Sequence, residues 1–220
     1  DLTKSYRSHK VREVTRQFAY VRGESEFFVI FDRVDATRAD FSKTWFLHIP
    51  TEPSMDGSEN RIVEGHVASY DGTVATWVSS PAGVDEVLSE GRSRAFLKTL
   101  LPEGARLTKR GGDGHDFWGH PLEPNAQYNH KGRRGNRSPI VPWRIEVESP
   151  GQEECEYFLH VLEISEEIDD AMSPVDVKKE DQRIGVEMGE GQNRTVLWFA
   201  AQGAPAGWMQ VGEGEEKALK

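Results

Sequence analysis

Short runs of β-branched and aromatic residues, bounded by Gly, Pro, Asp and Asn, recur along the chain, and helical periodicity is scarce. Runs of this kind are typical of strands. The pattern predicts strands at Val11–Val21, Phe27–Val34, Lys43–Ile49, Ile62–Tyr70, Thr73–Ser79, Ser93–Leu101, Ala105–Lys109, Trp143–Glu148, Tyr157–Ile164, Ile184–Met188 and Thr195–Ala200. We therefore expect an all-β fold, a two-layer antiparallel β-sandwich with long surface loops.

The alternation of side chains indicates how some of these strands are placed. Along Val11–Val21, successive residues point to opposite faces, which puts Val14, Arg16, Phe18 and Tyr20 together on one of them. The run from Phe27 to Phe31 is apolar on both faces, which predicts a central strand.

Three segments interrupt the strand pattern. Residues 122–142 lack apolar periodicity and are expected to form a long basic loop. Glu166–Asp181 is acidic and contains Pro174, and 213–220 is expected to be a polar tail. Otherwise residues 1–220 are expected to fold as a single β-sandwich domain.

Composition narrows the possible partners. The chain has 220 residues, of which 36% are hydrophobic and 29% charged, and its formal net charge is −10. A net negative charge disfavours general nucleic-acid binding, and no apolar run is long enough to span a bilayer. We expect neither nucleic acid nor membrane as a partner.

Seven sequence blocks occur in an order that is more informative than any one of them. They are Arg12–Tyr20, FFVIFDRV at 27–34, KTWFLHIPTEP at 43–53, FLKTLLPE at 96–103, GGDGHDFW at 111–118, WRIEV at 143–147 and FLHVLEI at 158–164. In this order the chain resembles the C-terminal β-rich region of heparinase II/III-like polysaccharide lyases. The resemblance is weakest in the loop 122–142.

The resemblance implies an enzyme that cleaves uronate-containing polysaccharides by β-elimination. Such an enzyme joins an α/α-toroid domain to β-sandwich domains, and its catalytic and metal-binding residues come largely from the toroid and the first β segment. Those parts would precede Asp1, so we expect no catalytic residue, metal or cofactor on this chain, which would be mainly scaffold and one wall of the substrate cleft. Because the chain begins without an initiator methionine or signal peptide, we expect a processed chain or a fragment.

A cluster of basic residues offers a contact for an anionic polysaccharide. Arginine forks pair with carboxylates and sulfates, and aromatic rings offer apolar faces to sugars. The candidate substrate-binding residues are Lys131, Arg133, Arg134, Trp118 and Tyr128. The alternative is that the charges form solvated loop surface and the aromatic rings belong to the core.

Other polar residues favour structural roles. His115, His120 and His130 invite a metal site, but their spacing matches no strong ligand pattern. His48 and His160 lie within apolar strands, where a hydrogen-bonded structural histidine is the expected reading. We expect Asp32 to bind backbone amides or an arginine.

Two other functions remain open. One alternative is a stand-alone carbohydrate-binding module. The other is a structural interaction domain, which an exposed apolar face where a toroid could dock would favour. The resemblance implies an anionic polysaccharide and an α/α-toroid domain or chain of the same enzyme as partners, and a secreted or periplasmic location.

Overall fold

The computed structural model describes residues 1–23, 25–78, 93–112, 115, 143–166 and 168–219. Its strands are β1 (Val11–Val21), β2 (Glu26–Ala36), β3 (Thr44–Ile49), β4 (Ser54–Met55), β5 (Glu59–Val63), β6 (Val67–Tyr70), β7 (Val74–Val78), β8 (Ser93–Leu101), β9 (Arg106–Gly111), β10 (Trp143–Glu148), β11 (Cys155–Glu166), β12 (Val175–Glu180), β13 (Arg183–Met188), β14 (Thr195–Ala200), β15 (Gly207–Val211) and β16 (Lys217–Ala218). Short 3₁₀ turns lie at Thr3–Ser5 and Gly191–Asn193. Within these ranges no helix has the length and apolar character needed to cross a membrane.

The described strands form three antiparallel sheets. Sheet A has the order β1-β2-β11-β8-β7-β4, sheet B has the order β3-β10-β9-β6-β5, and sheet C has the order β12-β13-β14-β15-β16. The expected all-β antiparallel sandwich is thereby confirmed. It contains a third sheet beyond the two layers that were expected.

Sheet A is the middle layer because each of its faces packs against another sheet. On one face, Phe31 and Leu159 pack with Val186 and Phe199 of sheet C. On the other face, Leu97 and Phe158 pack with residues of sheet B that include Trp45, Leu107, Trp143, Ile145 and Val147. The described residues therefore form two hydrophobic cores, one on each side of sheet A.

Strand β2 occupies the position expected for a run that is apolar on both faces. It lies between β1 and β11 in sheet A. Phe27, Val29 and Phe31 belong to the core shared with sheet C, whereas Ile30 and Val34 pack against the core shared with sheet B. The prediction of a central strand at Phe27–Phe31 is confirmed.

Each predicted strand overlaps an observed strand. The differences between the predicted and the observed strands lie at the edges of sheets and in sheet C. The run predicted at Ile62–Tyr70 is divided by a turn at 64–66 into β5 and β6. The acidic segment Glu166–Asp181, which was expected to lie outside the strands, contains β12. The polar residues 213–219, expected as a tail, include β16, which pairs with β15. The basic loop 122–142 lies outside the described residues.

Close packing between β13 and β14 requires a glycine at one position. Gly185 pairs with Trp198 in the strand register. A Cβ atom at Gly185 would lie 2.5 Å from the carbonyl oxygen of Leu197 and 2.6 Å from Cε3 of Trp198. Since Leu197 is fully buried, its backbone has little room to move.

We predict that Gly185→Ala lowers the free energy of unfolding by about 2 kcal/mol or more, because the new methyl group overlaps backbone and indole atoms. Urea unfolding followed by tryptophan fluorescence measures the change. Gly151→Ala is the matched control, since the atom nearest to its added Cβ lies at 3.6 Å. Equal stability of the two variants would contradict this account of the packing.

Candidate functional site

The side chains on the face of sheet B that points away from the core are mostly polar, and several of them, Ser69, Thr108, Arg110 and Arg144, are buried. Register places Asn60, Ser69, Thr108, Glu146 and Phe46 in one row across the five strands. The next row contains Val67, Arg110, Arg144 and His48, of which only Val67 is apolar. We call these two rows the polar face. Its position follows from strand alternation, since the intervening residues Leu107, Ile145 and Val147 point into the core.

Two arginines share one carboxylate near the centre of the polar face. Arg110 Nε donates to Glu146 Oε1 at 2.9 Å, and Arg144 Nε donates to the same oxygen at 2.6 Å. The two arginine side chains are 9% and 8% exposed. The Arg144 guanidinium also lies 5.6 Å from the ring centre of Phe46. Charge-assisted hydrogen bonds of this kind are strong and hold both guanidiniums in fixed positions.

His48 borders this cluster on strand β3. It is paired in register with Arg144 and its side chain is exposed to solvent. Partial burial, followed by the positive charge of Arg144, lowers the pKa of His48 below its ordinary value. The neutral imidazole, with one donor and one acceptor nitrogen, is therefore the favoured form near pH 7.

The connection between β9 and β10 starts and ends beside the polar face. Gly111 and Trp143 are paired in register, as are Arg110 and Arg144. Near this base, His66 Nδ1 lies 3.1 Å from the carbonyl oxygen of Gly111. The ring of His66 stacks on that of His115 with centroids 4.4 Å apart. The segment that contains the predicted basic loop therefore leaves and re-enters the sheet at neighbouring positions.

An open cleft of about 450 Å³ lies at the other end of β9. Its lining includes Asn60, Ser69, Tyr70, Asp71 and Arg106. Asn60 Nδ2 lies 3.4 Å from Ser69 Oγ, and Arg106 forms an ion pair with Glu148. Amide, hydroxyl and guanidinium groups together offer donors and acceptors for sugar hydroxyls and carboxylates.

The substrate-binding residues predicted from the sequence, Lys131, Arg133, Arg134, Trp118 and Tyr128, lie outside the described residues. Of the three histidines considered for a metal site, His115 is described, and His120 and His130 are not. In the part of the chain that the structure describes, no group of three or more His, Cys, Asp or Glu residues is arranged to hold a metal ion.

The pairing expected for Asp32 is confirmed. Arg16 donates to both oxygens of this buried carboxylate, from Nε at 2.7 Å and from Nη2 at 2.6 Å. The bidentate geometry satisfies a carboxylate that would be costly to bury alone. Asp32 is therefore held by a structural ion pair.

His160 is a structural residue of the core between sheets A and B. It is fully buried, its Nδ1 lies 3.1 Å from Thr99 Oγ1, and its ring centre lies 3.9 Å from that of Trp45. Burial, with a smaller contribution from the charge of Arg16, lowers the pKa of His160 to about 3. The structural role expected from its apolar strand is confirmed.

The sequence reading did not single out Arg110, Arg144, Glu146 or Asn60. A signal for two of them was present, because Arg144 and Glu146 are two residues apart on a strand and so share a face. No comparable signal connects them with Arg110, which reaches them through the pairing of β9 with β10.

We predict that Glu146→Gln lowers the free energy of unfolding by about 2 kcal/mol or more, because it removes the negative charge that two buried guanidiniums share. Glu148→Gln is the control, since Glu148 pairs with the exposed Arg106 and should change stability by less than about 1 kcal/mol. Chemical denaturation of both variants measures the difference. Similar losses of stability in the two variants would show that Glu146 contributes no more than the exposed pair of Arg106 and Glu148.

We predict that His160 makes the protein less stable as the pH falls from 6.5 towards 3. The unfolded chain binds a proton at this histidine near pH 6.5, whereas the folded chain does so only near pH 3. The His160→Leu variant should therefore lose stability less steeply over this range, by up to about 1.4 kcal/mol per pH unit. Denaturation midpoints measured across the range test this.

His9→Leu is the matched control, because it makes the same change at an exposed histidine. Parallel pH profiles for His160→Leu and the unsubstituted chain would contradict the lowered pKa.

Comparison with known proteins assigns no family. No family model matches the chain, and no curated protein is significantly similar to it. The relationship to heparinase II/III-like lyases is therefore a hypothesis that rests on the order of the sequence blocks.

Proposed function

We propose that this chain is the β-sandwich portion of a heparinase II/III-like lyase that cleaves uronate-containing polysaccharides by β-elimination. In this proposal the chain is mainly scaffold, and its polar face is one wall of the substrate cleft. The enzyme is secreted or periplasmic, where such polymers are encountered. Support comes from the order of the sequence blocks and from the chemistry of the polar face.

The proposal that the polar face is one wall of the substrate cleft rests on one observation. The open cleft beside Arg106 and the base of the β9–β10 connection beside Arg110 lie along the same strand. Arg110 lies four positions after Arg106 on this strand, which corresponds to about 13 Å. The cleft therefore lies within reach of an extended saccharide that also contacts the connection that carries Lys131, Arg133 and Arg134.

The reaction assigns different tasks to the two parts of the enzyme. β-Elimination requires neutralisation of the substrate carboxylate, a base that removes the adjacent proton and an acid that protonates the leaving oxygen. In our proposal the helical toroid domain supplies the base and the acid. This chain supplies hydrogen-bond donors and positive charge that hold the polymer in register with them.

A stand-alone carbohydrate-binding module is the second candidate. The cleft favours it, because Asn60, Ser69 and Arg106 provide sugar-binding chemistry without any help from a second domain. The two candidates share the binding surface and differ in whether bound polymer is cleaved once a toroid domain is present.

We predict that the 220-residue chain binds heparan sulfate, hyaluronan or alginate, and that Arg133→Ala combined with Arg134→Ala weakens this binding by about tenfold or more. The loss follows from removing two guanidiniums that pair with carboxylates or sulfates. Isothermal titration calorimetry measures the affinity. Arg7→Ala combined with Arg38→Ala removes the same charge from exposed positions elsewhere and should have little effect.

A test for polysaccharide cleavage distinguishes the lyase portion from the stand-alone carbohydrate-binding module. Co-expression with the toroid domain of the same enzyme should produce ultraviolet absorbance from unsaturated uronate products. Binding without such products would favour the carbohydrate-binding module. If none of the polysaccharides binds, or if the double substitution leaves their affinity unchanged, the proposed role of the β9–β10 connection is wrong.

A further inference from the structure

The open cleft at the end of β9 has more negative than positive charge on its lining. Glu59 and Asp71 each contribute a carboxylate. Of the lining residues that the structure describes, Arg106 alone carries a positive charge. The volume of about 450 Å³ falls in the range of small-molecule sites. A net negative lining is unexpected on a surface that contacts a polyanion, so it bears on which sugar of the polymer the cleft accepts.

The charge of Arg106 is matched by carboxylates on both sides. Arg106 Nη2 donates to Oε2 of Glu148 on β10. The pairing of β6 with β9 runs to Tyr70 and Leu107, so the next residues along the two strands, Asp71 and Arg106, are neighbours. A guanidinium between two carboxylates gives little net attraction to a third one on a ligand.

The carboxylate of Asp71 is fixed in position by the backbone beside it. Its Oδ1 accepts from the backbone N–H of Ser58 at 2.6 Å. A Cβ atom at Gly57 would lie only 2.5 Å from the same oxygen, so the two turns pack closely here. In the described part of the chain, no hydrogen bond or ion pair occupies Oδ2. Because Asp71 lines the cleft, its charge repels an anionic group that enters.

The second lining carboxylate does not change this balance. Glu59 accepts from Arg61 Nε at 3.1 Å, but Arg61 also forms an ion pair with Glu64. Two carboxylates therefore share one guanidinium at this rim. The cleft is negative whether the lining residues are counted alone or together with their ion-pair partners.

The uncharged polar groups of the cleft match a sugar that carries an amide. Asn60 Nδ2 lies 3.4 Å from Ser69 Oγ, a long hydrogen bond that a ligand can replace. The Asn60 side chain has two N–H donors and an acceptor oxygen, which can pair with the C=O and N–H of an acetamido group. The half-buried Ala105 offers a small apolar contact for the methyl of that group.

We propose that the cleft binds the uncharged N-acetylhexosamine of a polymer in which this sugar alternates with uronate. A uronate or an N-sulfated sugar is disfavoured there, because Asp71 and Glu59 repel its negative charge. This assignment rests on the proposed function, since it concerns one subsite of the same surface. The substrate class is then a polymer of the hyaluronan or chondroitin type, rather than alginate or an N-sulfated heparin.

The proposed preference is the reverse of what charge alone would give. Alginate carries a carboxylate on every sugar, whereas hyaluronan carries one on every second sugar. If the basic residues Lys131, Arg133 and Arg134 alone determined the affinity, the more highly charged alginate would bind more tightly. A preference for hyaluronan therefore reports on the cleft.

Isothermal titration calorimetry of the 220-residue chain with oligosaccharides of equal length tests the preference. We expect the hyaluronan oligosaccharide to bind about fivefold more tightly than the alginate oligosaccharide, or better. Equal or tighter binding of the alginate oligosaccharide would overturn the assignment of the cleft and leave the proposed function intact. If neither oligosaccharide binds, both are wrong.

Two substitutions connect the preference to the cleft. Asp71→Asn keeps an oxygen that accepts from Ser58 and removes the charge, so it should raise the affinity for the alginate oligosaccharide by about fivefold and change that for hyaluronan by less than about twofold. Asn60→Ala should weaken hyaluronan binding by about fivefold and leave alginate binding unchanged.

Asp181→Asn is the matched control for the loss of charge. Asp181 is exposed between β12 and β13, in a different sheet from the cleft. This variant should bind both oligosaccharides as the unsubstituted chain does. If Asp71→Asn and Asn60→Ala both leave the ratio of the two affinities unchanged, the cleft does not select the sugar and the proposal is overturned.

Discussion

The burial of sheet A on both faces is the constraint on which the rest of the structure depends. A strand in a two-layer sandwich needs apolar residues at every second position, whereas β2 and β11 need them at almost every position. Phe31 and Leu159 point towards sheet C, and Phe158 and Leu97 point towards sheet B. Polar groups in this layer must therefore find partners inside the protein, as Asp32 does with Arg16 and His160 does with Thr99.

The sequence predicts the strands of the middle layer well because double-sided burial leaves a strong pattern. Strand β12 has the sequence VDVKKE, and only Val175 is fully buried, so its composition resembles that of a polar loop. It is an edge strand, and charged side chains on edges discourage unwanted pairing. The number of layers was not predictable in the same way. Periodicity shows that a face is buried, but it does not show which element covers it.

The candidate site shows the same limit at the level of single residues. The alternation in WRIEV places Arg144 and Glu146 on one face, and that much follows from the sequence. Their connection with Arg110 depends on the pairing of β9 with β10, and with Phe46 and His48 on the pairing of β10 with β3. Register between distant strands is set by the packed core, so the polar face could be recognised only in three dimensions. The basic residues 131–134 had the opposite character, since their chemistry was visible in the sequence and their position was not.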